Sequence, residues 1–161
     1  GGAACACLAA GASVCQSVAS GGSVSWAKEN VALSGLQDKP VRFIVDDCMK
    51  FVQREKRRGK KYDAIIMDPP SYGRGPNGEL WKLEEELYAL VDSLLDILSD
   101  KPVFFLLNSY TTGFSPQVSA NMLELVLRQS LGGRVTFGEL GLPVEASDIV
   151  LPCGTYARWE R

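Results

Sequence analysis

Hydrophobic and polar positions in the first third of the chain change between helical and strand spacing. A serine oxygen can accept hydrogen bonds from the free N–H groups of a first helical turn, and a glycine favours the left-handed backbone after a last turn. Serines and Gly35 occupy such positions around one apolar-periodic segment. The pattern predicts a helix over 3–10, a strand over 12–18 and a helix from Ser20 or Ser23 to Ser34.

The rest of the chain continues this alternation. Residues 62–67 form a continuous apolar run, typical of a parallel strand that is covered on both faces. Strands that alternate with helices of this length predict an α/β fold with a Rossmann-like, doubly wound and mostly parallel sheet. Its last two strands are expected to pair as an antiparallel hairpin at the sheet edge. The predicted strands are 41–45, 62–67, 103–107, 135–140 and 155–159; the helices are 47–58, 83–98 and 115–129; the loop is 71–78.

Ligands of an open α/β sheet bind beyond the carboxyl ends of its strands, so the residues that follow each strand are site candidates. Three of the four ends considered carry polar or acidic side chains, which indicates a pocket on one rim. These ends are Ala19-Ser20-Gly21, Asp46-Asp47-Cys48, Asp68-Pro69-Pro70-Ser71-Tyr72 and Asn108-Ser109-Tyr110.

Asp68, Pro69 and Pro70, here called the Asp-Pro-Pro corner, give the sharpest signal. Two prolines fix φ and remove two N–H donors, so the carboxylate and the rigid carbonyls can only accept hydrogen bonds. Such a cradle suits a planar exocyclic amine or the edge of a base, on which Tyr72 could stack. The structural alternative is a proline turn that ends a strand, with Asp68 capping the next segment.

Asp46 and Asp47 follow a strand and open a helix. They could be carboxylates stabilised by the helix dipole, or hydrogen-bond partners of an adenine amine with Cys48 in the same slot. Both interpretations can hold together. Gly1 and Gly2, ahead of an Ala-rich helix, could end a glycine loop that lets a ligand approach the backbone.

Composition narrows the chemistry. Among 161 residues there is no histidine, which excludes Ser-His-Asp and Cys-His hydrolases and His-ligated metal sites. Five cysteines without zinc-site spacing indicate reduced thiols in a cytosolic protein, and no metal is expected. No apolar run reaches about 18 residues, so no membrane span is expected. The net charge is -2, and the basic run 54–61 is either a solvated helix end or an RNA-backbone patch.

Several stretches together resemble a known family. They are Ala19-Ser20-Gly21-Gly22-Ser23-Val24-Ser25-Trp26-Ala27-Lys28-Glu29-Asn30, Leu33-Ser34-Gly35-Leu36, Asp46-Asp47, Asp68-Pro69-Pro70-Ser71-Tyr72 and Asn108-Ser109-Tyr110-Thr111-Thr112-Gly113. The chain resembles class I S-adenosylmethionine-dependent methyltransferases, and among them the ribosomal-RNA large-subunit group with an Asp-Pro-Pro-x-aromatic motif.

The resemblance implies S-adenosylmethionine as cofactor, methyl transfer to a nucleic-acid base, a ribosomal RNA substrate and a cytoplasmic location. It implies that Gly1 and Gly2 lie beside the methionine moiety, that Asp47 and Cys48 contact adenine, and that the Asp-Pro-Pro corner with Tyr72 presents the acceptor. The cofactor-binding candidates are Gly1, Gly2, Ala19, Ser20, Asp46, Asp47, Cys48 and Asp68; the catalytic candidates are Asp68, Pro69, Pro70 and Tyr72.

Two departures from the family keep an alternative open. The acidic residue that takes the ribose hydroxyls in the family is replaced by Val18. We also expect the strand that should precede Gly1, and an upstream RNA-binding region, to be missing. We therefore expect a single methyltransferase catalytic domain, 1–161, without its first strand; the alternative is a non-catalytic or cofactor-weak fragment or paralogue. Because segment 108–111 contains no cysteine, direct transfer to a nitrogen is favoured over a covalent mechanism. A nicotinamide-binding domain would need G-x-G-x-x-G, which the sequence does not show.

Overall fold

The computed structural model describes residues 1–74 and 80–161. These residues form two compact units, residues 1–54 and residues 55–161. Positions 75–78 of the predicted loop lie outside the described residues. The helices and strands of the first unit are α1 Gly2–Ala9, β1 Val14–Val18, α2 Gly21–Leu33 and β2 Val41–Val45, followed by α3 Cys48–Arg57, which ends in the second unit.

The first unit pairs its two strands in parallel, in register from Val14 beside Val41 to Val18 beside Val45. Helix α2 begins and ends where the sequence predicts. The Ser20 hydroxyl accepts a hydrogen bond from the Ser23 N–H at 3.3 Å, and Gly35 has a φ of 67°. The buried side chains of α1 and α2 are Ala4, Leu8, Val24, Ala27 and Val31.

Gly1 packs so closely against α2 that no side chain would fit at this position. A Cβ on Gly1 would lie 2.8 Å from Ala27 Cα and 3.0 Å from Ala27 Cβ. The Gly1 carbonyl accepts a hydrogen bond from the Cys5 N–H at 3.0 Å, which closes the first turn of α1. By contrast, a Cβ on Gly2 would meet nothing within 4 Å.

The two glycines are expected to respond oppositely to alanine. Gly1→Ala should lower the free energy of unfolding by about 1–3 kcal/mol, because the new methyl group overpacks against the Ala27 backbone. Gly2→Ala should leave it unchanged or raise it by up to about 1 kcal/mol, since alanine favours the helix. Urea unfolding of both variants checks the pair, and equal midpoints would contradict the close packing.

The second unit contains a four-stranded sheet in the order β3-β6-β8-β7. Strands β3 and β6 are parallel, whereas β8 runs antiparallel to both β6 and β7, which leaves β7 at the edge. Helix α5 packs on β7 and β8. The elements are β3 Ala64–Met67, β4 Tyr72–Arg74, β5 Leu80–Lys82, α4 Leu83–Leu95, β6 Phe104–Ser109, α5 Pro116–Leu123, a π-helical segment Glu124–Arg128, α6 Gln129–Leu131, β7 Arg134–Pro143 and β8 Val150–Glu160.

The core of this unit lies between the sheet and its helices. Phe105, Leu107, Ala157 and Trp159 are fully buried on one face of the central strands. Trp159 also donates its Nε1–H to the Gly132 carbonyl at 2.7 Å, so its polar group has a partner. The buried side chains that α4 contributes are Leu83, Leu87, Leu90, Val91 and Leu94, as its helical spacing predicts.

The predicted fold class is confirmed. The parallel pairs β1–β2 and β3–β6, the intervening helices and the antiparallel C-terminal hairpin are all present. The structure adds a short antiparallel hairpin, β4–β5, where the sequence predicts a loop, and a π-helical segment inside the predicted helix 115–129. In the part of the chain that the structure describes, no helix has the length and apolar character of a membrane span.

Candidate active site

The two acidic residues after β2 have different partners. The Asp46 carboxylate forms a salt bridge with the Arg54 guanidinium, and its backbone N–H donates to the Val18 carbonyl at 3.1 Å. Asp47 Oδ1 accepts a hydrogen bond from the Lys50 N–H at 2.9 Å, so Asp47 caps α3. Asp46 therefore has its charge paired within the protein, whereas the cap leaves the second carboxylate oxygen of Asp47 for another donor.

Cys48 opens α3 beside these carboxylates. Desolvation, followed by the charges of Asp47 and Asp46, raises the pKa of the Cys48 thiol. The thiol is therefore neutral at physiological pH and acts as a weak S–H donor rather than as a thiolate nucleophile. A neutral, weakly donating thiol suits a contact with the uncharged edge of an adenine ring.

The end of β1 leads directly into the N-terminus of α2. Ala19 and Ser20 are exposed, and a Cβ on Gly21 would meet nothing within 4 Å, so the backbone here is open to a ligand. The Ser20 hydroxyl is occupied as the cap of α2. Val18, the last residue of β1, offers no side-chain hydrogen bond.

The basic run 54–61 makes intramolecular contacts. Lys56 Nζ lies 2.6 Å from the Asp96 carboxylate, and Lys61 Nζ donates to the Asp96 carbonyl at 2.9 Å. These contacts support the structural interpretation of the run, in which its cations stabilise a helix end and its neighbours.

In the second unit, Asp68 follows β3 and is exposed. Partial desolvation raises the pKa of its carboxyl above the ordinary value of 3.8. Among residues 1–74 and 80–161, no hydrogen bond or ion pair to this carboxylate is found. The alternative in which Asp68 caps the next segment therefore lacks support, and the carboxylate remains an acceptor for an external donor.

One carbonyl group of the Asp-Pro-Pro corner already accepts a hydrogen bond within the protein, which the sequence did not predict. Trp81, on β5, donates its Nε1–H to the Pro70 carbonyl at 2.6 Å. The β4–β5 hairpin brings the indole there, because Trp81 pairs with Gly73, only three residues after Pro70. Sequence reasoning missed Trp81 because the hairpin lies in a segment rich in glycine and proline.

Removing this indole N–H should affect the corner more than the fold. Trp81→Phe keeps an aromatic ring but leaves the Pro70 carbonyl to water, so we expect a loss of about 2- to 10-fold in kcat of the methyl transfer that the family resemblance implies. The melting temperature should fall by less than about 4 °C. Trp26→Phe is the matched control, because Trp26 is 68% exposed on α2. Equal effects of the two variants would contradict a positioning role for Trp81.

A pair of hydroxyl groups joins the segments that follow β3 and β6. Ser71 Oγ and Thr111 Oγ1 lie 2.7 Å apart, and the Ser71 carbonyl accepts from the Leu83 N–H at 3.1 Å. The Thr111 N–H in turn donates to Ser109 Oγ at 3.3 Å. The corner and the end of β6 are thus held together by contacts that reach across 40 residues of sequence.

The two polar residues at the end of β6 have different surroundings. Ser109 is buried, and its carbonyl accepts a hydrogen bond from Thr155 Oγ1 at 3.3 Å, so its role is structural. Asn108 faces a cavity of about 400 Å³ on the sheet, which it lines together with Leu106, Thr136, Leu140, Tyr156 and Arg158.

Each unit carries its own share of the predicted residues. The first unit holds Gly1, Gly2, Ala19, Ser20, Asp46, Asp47 and Cys48; the second holds Asp68, Pro69, Pro70 and Tyr72. Among the residues that the structure describes, no group of three or more His, Cys, Asp or Glu side chains is arranged to hold a metal ion.

Comparison with known proteins shows relatives by sequence and by fold, although no protein-family model matches the chain. A stretch of 77 residues is 34% identical to Ribosomal RNA large subunit methyltransferase K/L of Shewanella baltica and covers 47% of the chain and 10% of that relative. The solved SAM-dependent methyltransferase from Agrobacterium tumefaciens is 39% identical with a TM-score of 0.92, covering 99% of this chain and 52% of that one. SMU.776, a methyltransferase solved with SAH, is 17% identical with a TM-score of 0.66, covering 91% and 39%.

The fold is that of the class I S-adenosylmethionine-dependent methyltransferases, as the similarity to the solved Agrobacterium tumefaciens protein shows. Within that class the chain is related by sequence to the ribosomal-RNA large-subunit methyltransferases, which confirms the resemblance carried by its motifs. The chain spans about half the length of its solved relative and about a tenth of that curated relative.

Proposed function

We propose that this chain transfers a methyl group from S-adenosylmethionine to a base of ribosomal RNA in the cytoplasm. The observation that carries the proposal is the Asp-Pro-Pro corner, which follows a parallel strand of a class I fold. The Asp68 carboxylate there is exposed and has no hydrogen-bond or ion-pair partner among the residues that the structure describes. The sequence similarity to a ribosomal RNA methyltransferase of Shewanella baltica supports RNA as the substrate.

The residues of the first unit fit part of such a cofactor. Asp47 keeps one carboxylate oxygen for an adenine amine, and the neutral thiol of Cys48 suits the ring edge beside it. The open space around Gly2 lets a ligand approach the backbone of α1. Val18 does not fit, because valine cannot accept hydrogen bonds from ribose hydroxyls.

The residues of the second unit would orient the acceptor. Asp68 accepts a hydrogen bond from the N–H of the base, which raises the electron density on the attacking nitrogen. Its raised pKa makes it a better proton acceptor than an ordinary aspartate. Because the Pro70 carbonyl is occupied by Trp81, Pro69 supplies the backbone acceptor, and Tyr72, which is 54% exposed, offers a ring for stacking.

This chemistry needs no histidine. When bound, the cofactor supplies a methyl group attached to a positively charged sulfur. The neutral thioether is the leaving group, and it needs no protonation. The protein contributes positioning, exclusion of water and one proton acceptor, and these contributions are within the reach of aspartate, proline and tyrosine side chains.

Methyl incorporation tests the proposal. The 161-residue chain, and any longer natural form of it, is incubated with methyl-tritiated S-adenosylmethionine and large-subunit ribosomal RNA transcribed in vitro. We expect label in this unmodified RNA and much less in RNA that a methylating cell has already modified. No incorporation above that of heat-denatured protein would overturn the proposal.

Val18 favours a second candidate function, a module that keeps the fold but binds the cofactor poorly. Loss of a ribose partner costs on the order of 1–3 kcal/mol, or roughly 5- to 150-fold in affinity. Calorimetry with S-adenosylhomocysteine separates the two functions, because micromolar binding by this chain would exclude the cofactor-weak module.

A further inference from the structure

The C-terminal hairpin continues beyond the rest of its sheet. Strand β6 ends at Ser109, which pairs with Thr155, whereas β7 and β8 stay paired as far as Pro143 and Val150. Residues 141–153, here called the hairpin arm, are all exposed. The hairpin arm is therefore a two-stranded ribbon whose faces are both open to solvent.

One face of the hairpin arm is aliphatic. Leu142 pairs directly with Leu151. Two residues further toward the tip, Val144 donates its N–H to the Ile149 carbonyl at 3.1 Å. Alternate residues of a strand share a face, so the four side chains lie together, and each of them is between 38% and 66% exposed. A contiguous apolar patch of this kind on a protein surface marks an interaction site.

The same face of the sheet carries a cavity closer to the centre of the unit. Leu140 shares its face of β7 with Leu142, and it lines the cavity of about 400 Å³ together with Thr136. The register shift after Leu140 leaves its extra residue, Cys153, in β8, so the alternation along β7 is unbroken. The cavity and the aliphatic tip therefore lie on one face, roughly 20 Å apart along the strand.

The charge of the hairpin arm argues against RNA as its partner. Residues 135–157 contain no lysine or arginine, and the turn at the tip carries Glu145 and Asp148. Carboxylates repel the phosphates that dominate the affinity of proteins for nucleic acids. The aliphatic face and the acidic tip fit a protein surface that is apolar with a basic margin.

The cavity has that character. Arg134 and Arg158 both pair with the Glu160 carboxylate, so two cations share one anion and a positive charge is left over. Strand pairing places all three side chains on the face of the cavity, and Arg158 lines it. The acidic tip of one molecule is thus complementary in charge to the cavity of another.

We propose that the hairpin arm docks over this cavity in a second copy of the chain, and that two copies do so reciprocally. A two-fold axis needs both contact surfaces on the same face of the molecule, as they are here. With the axis near Gly141, Leu142 of one copy faces Leu140 of the other. Ile149 then covers the partner's cavity and the acidic tip approaches its arginines. This interface does not depend on the proposed methyl transfer.

Sedimentation equilibrium tests the interface on the 161-residue chain between about 1 and 500 μM, a range that covers weak and tight association. We expect a monomer–dimer equilibrium. Ile149→Asp places a charge in the aliphatic tip and should raise the dissociation constant at least roughly 100-fold, because the contact is lost twice in each dimer. Leu125→Asp is the matched control, since Leu125 is 53% exposed on the π-helical segment and should behave as wild type.

A second variant tests the cavity. Thr136→Trp fills it with an indole at an exposed strand position that tolerates aromatic residues, and it should also abolish dimers. Mixing Thr136→Trp with Ile149→Asp should restore a dimer, because the intact tip of the first variant meets the intact cavity of the second. Two variants that are monomeric alone and remain so when mixed would overturn reciprocal docking.

The remaining outcomes are equally decisive. A wild-type chain that stays monomeric throughout, or a dimer that neither variant weakens, would overturn the proposal. An equal loss in Leu125→Asp would do the same. A monomer whose affinity for RNA falls in Ile149→Asp would assign the hairpin arm to RNA instead. Methyl incorporation by monomeric Ile149→Asp would leave the proposed activity standing on its own.

Discussion

Replacing Asp68 with alanine is expected to lower kcat/KM for methyl transfer to RNA by about 100- to 10,000-fold. This is the range in which a positioned proton acceptor contributes to catalysis. Asp68→Asn should lose less than Asp68→Ala, because its amide oxygen still accepts a hydrogen bond although the charge and the basicity are gone. Initial rates with tritiated cofactor measure both variants.

A loss of activity in these variants must be distinguished from a loss of folded structure. The raised pKa of Asp68 predicts how its replacement changes stability, so the two effects can be measured independently. Desolvation favours the protonated carboxyl in the folded state, so the contribution of this group to stability is complete at low pH. That contribution is lost as the pH rises from about 4 through the raised pKa. At pH 7, Asp68→Asn should therefore be as stable as wild type or slightly more stable.

Thermal unfolding of wild type and Asp68→Asn between pH 3 and pH 7 checks this sign. The difference between their melting temperatures should be smallest at the acid end and should move in favour of the variant as the pH rises. A variant that unfolds at pH 7 while wild type stays folded would assign Asp68 a structural role. Full activity of Asp68→Ala would remove it from the mechanism.

Elements specified by neighbouring residues could be predicted from sequence. Helix α2 has its serine cap three residues from the N–H that it accepts, and Gly35 supplies the left-handed residue at its end. The buried leucines of α4 repeat at helical spacing, so periodicity alone places them in the core. The antiparallel pairing of the last two strands was also predicted from sequence.

Contacts between distant residues could not be predicted in this way. The Trp81 indole reaches Pro70 across 11 residues, and Ser71 reaches Thr111 across 40. Neither contact leaves a periodic trace in the sequence. The first depends on the pairing of β4 with β5, and the second on the parallel pairing of β3 with β6. The sequence therefore did not show that the Pro70 carbonyl of the corner already has a donor within the protein.

In the candidate site, too, some features could be predicted from sequence and others could not. Acidic residues at strand ends were identified from their position after apolar runs, because parallel strands end at one rim. Their local roles needed coordinates: Asp46 is paired with Arg54, whereas its neighbour Asp47 caps α3 and keeps one oxygen. Two carboxylates that are adjacent in sequence thus differ in what they can offer a ligand.

Val18→Asp is expected to tighten binding of S-adenosylhomocysteine by roughly 5- to 150-fold, which corresponds to regaining about 1–3 kcal/mol of hydrogen bonding. Val18 is the last residue of β1, directly before the exposed Ala19 and Ser20, where an acidic side chain can accept from both ribose hydroxyls. Isothermal titration calorimetry on the 161-residue chain gives the dissociation constants directly and does not depend on catalysis.

The design separates a ribose contact from a general effect of charge. Val45→Asp is the matched control, because Val45 lies beside Val18 in the strand register, is 56% exposed and ends β2. Val18→Asn tests the charge itself and should gain less than Val18→Asp, since a neutral amide accepts weaker hydrogen bonds. If Val18→Asp leaves the affinity unchanged, or if Val45→Asp raises it equally, position 18 does not face the ribose. Tighter binding confined to Val18→Asp would show that a single valine limits cofactor affinity in an otherwise competent first unit.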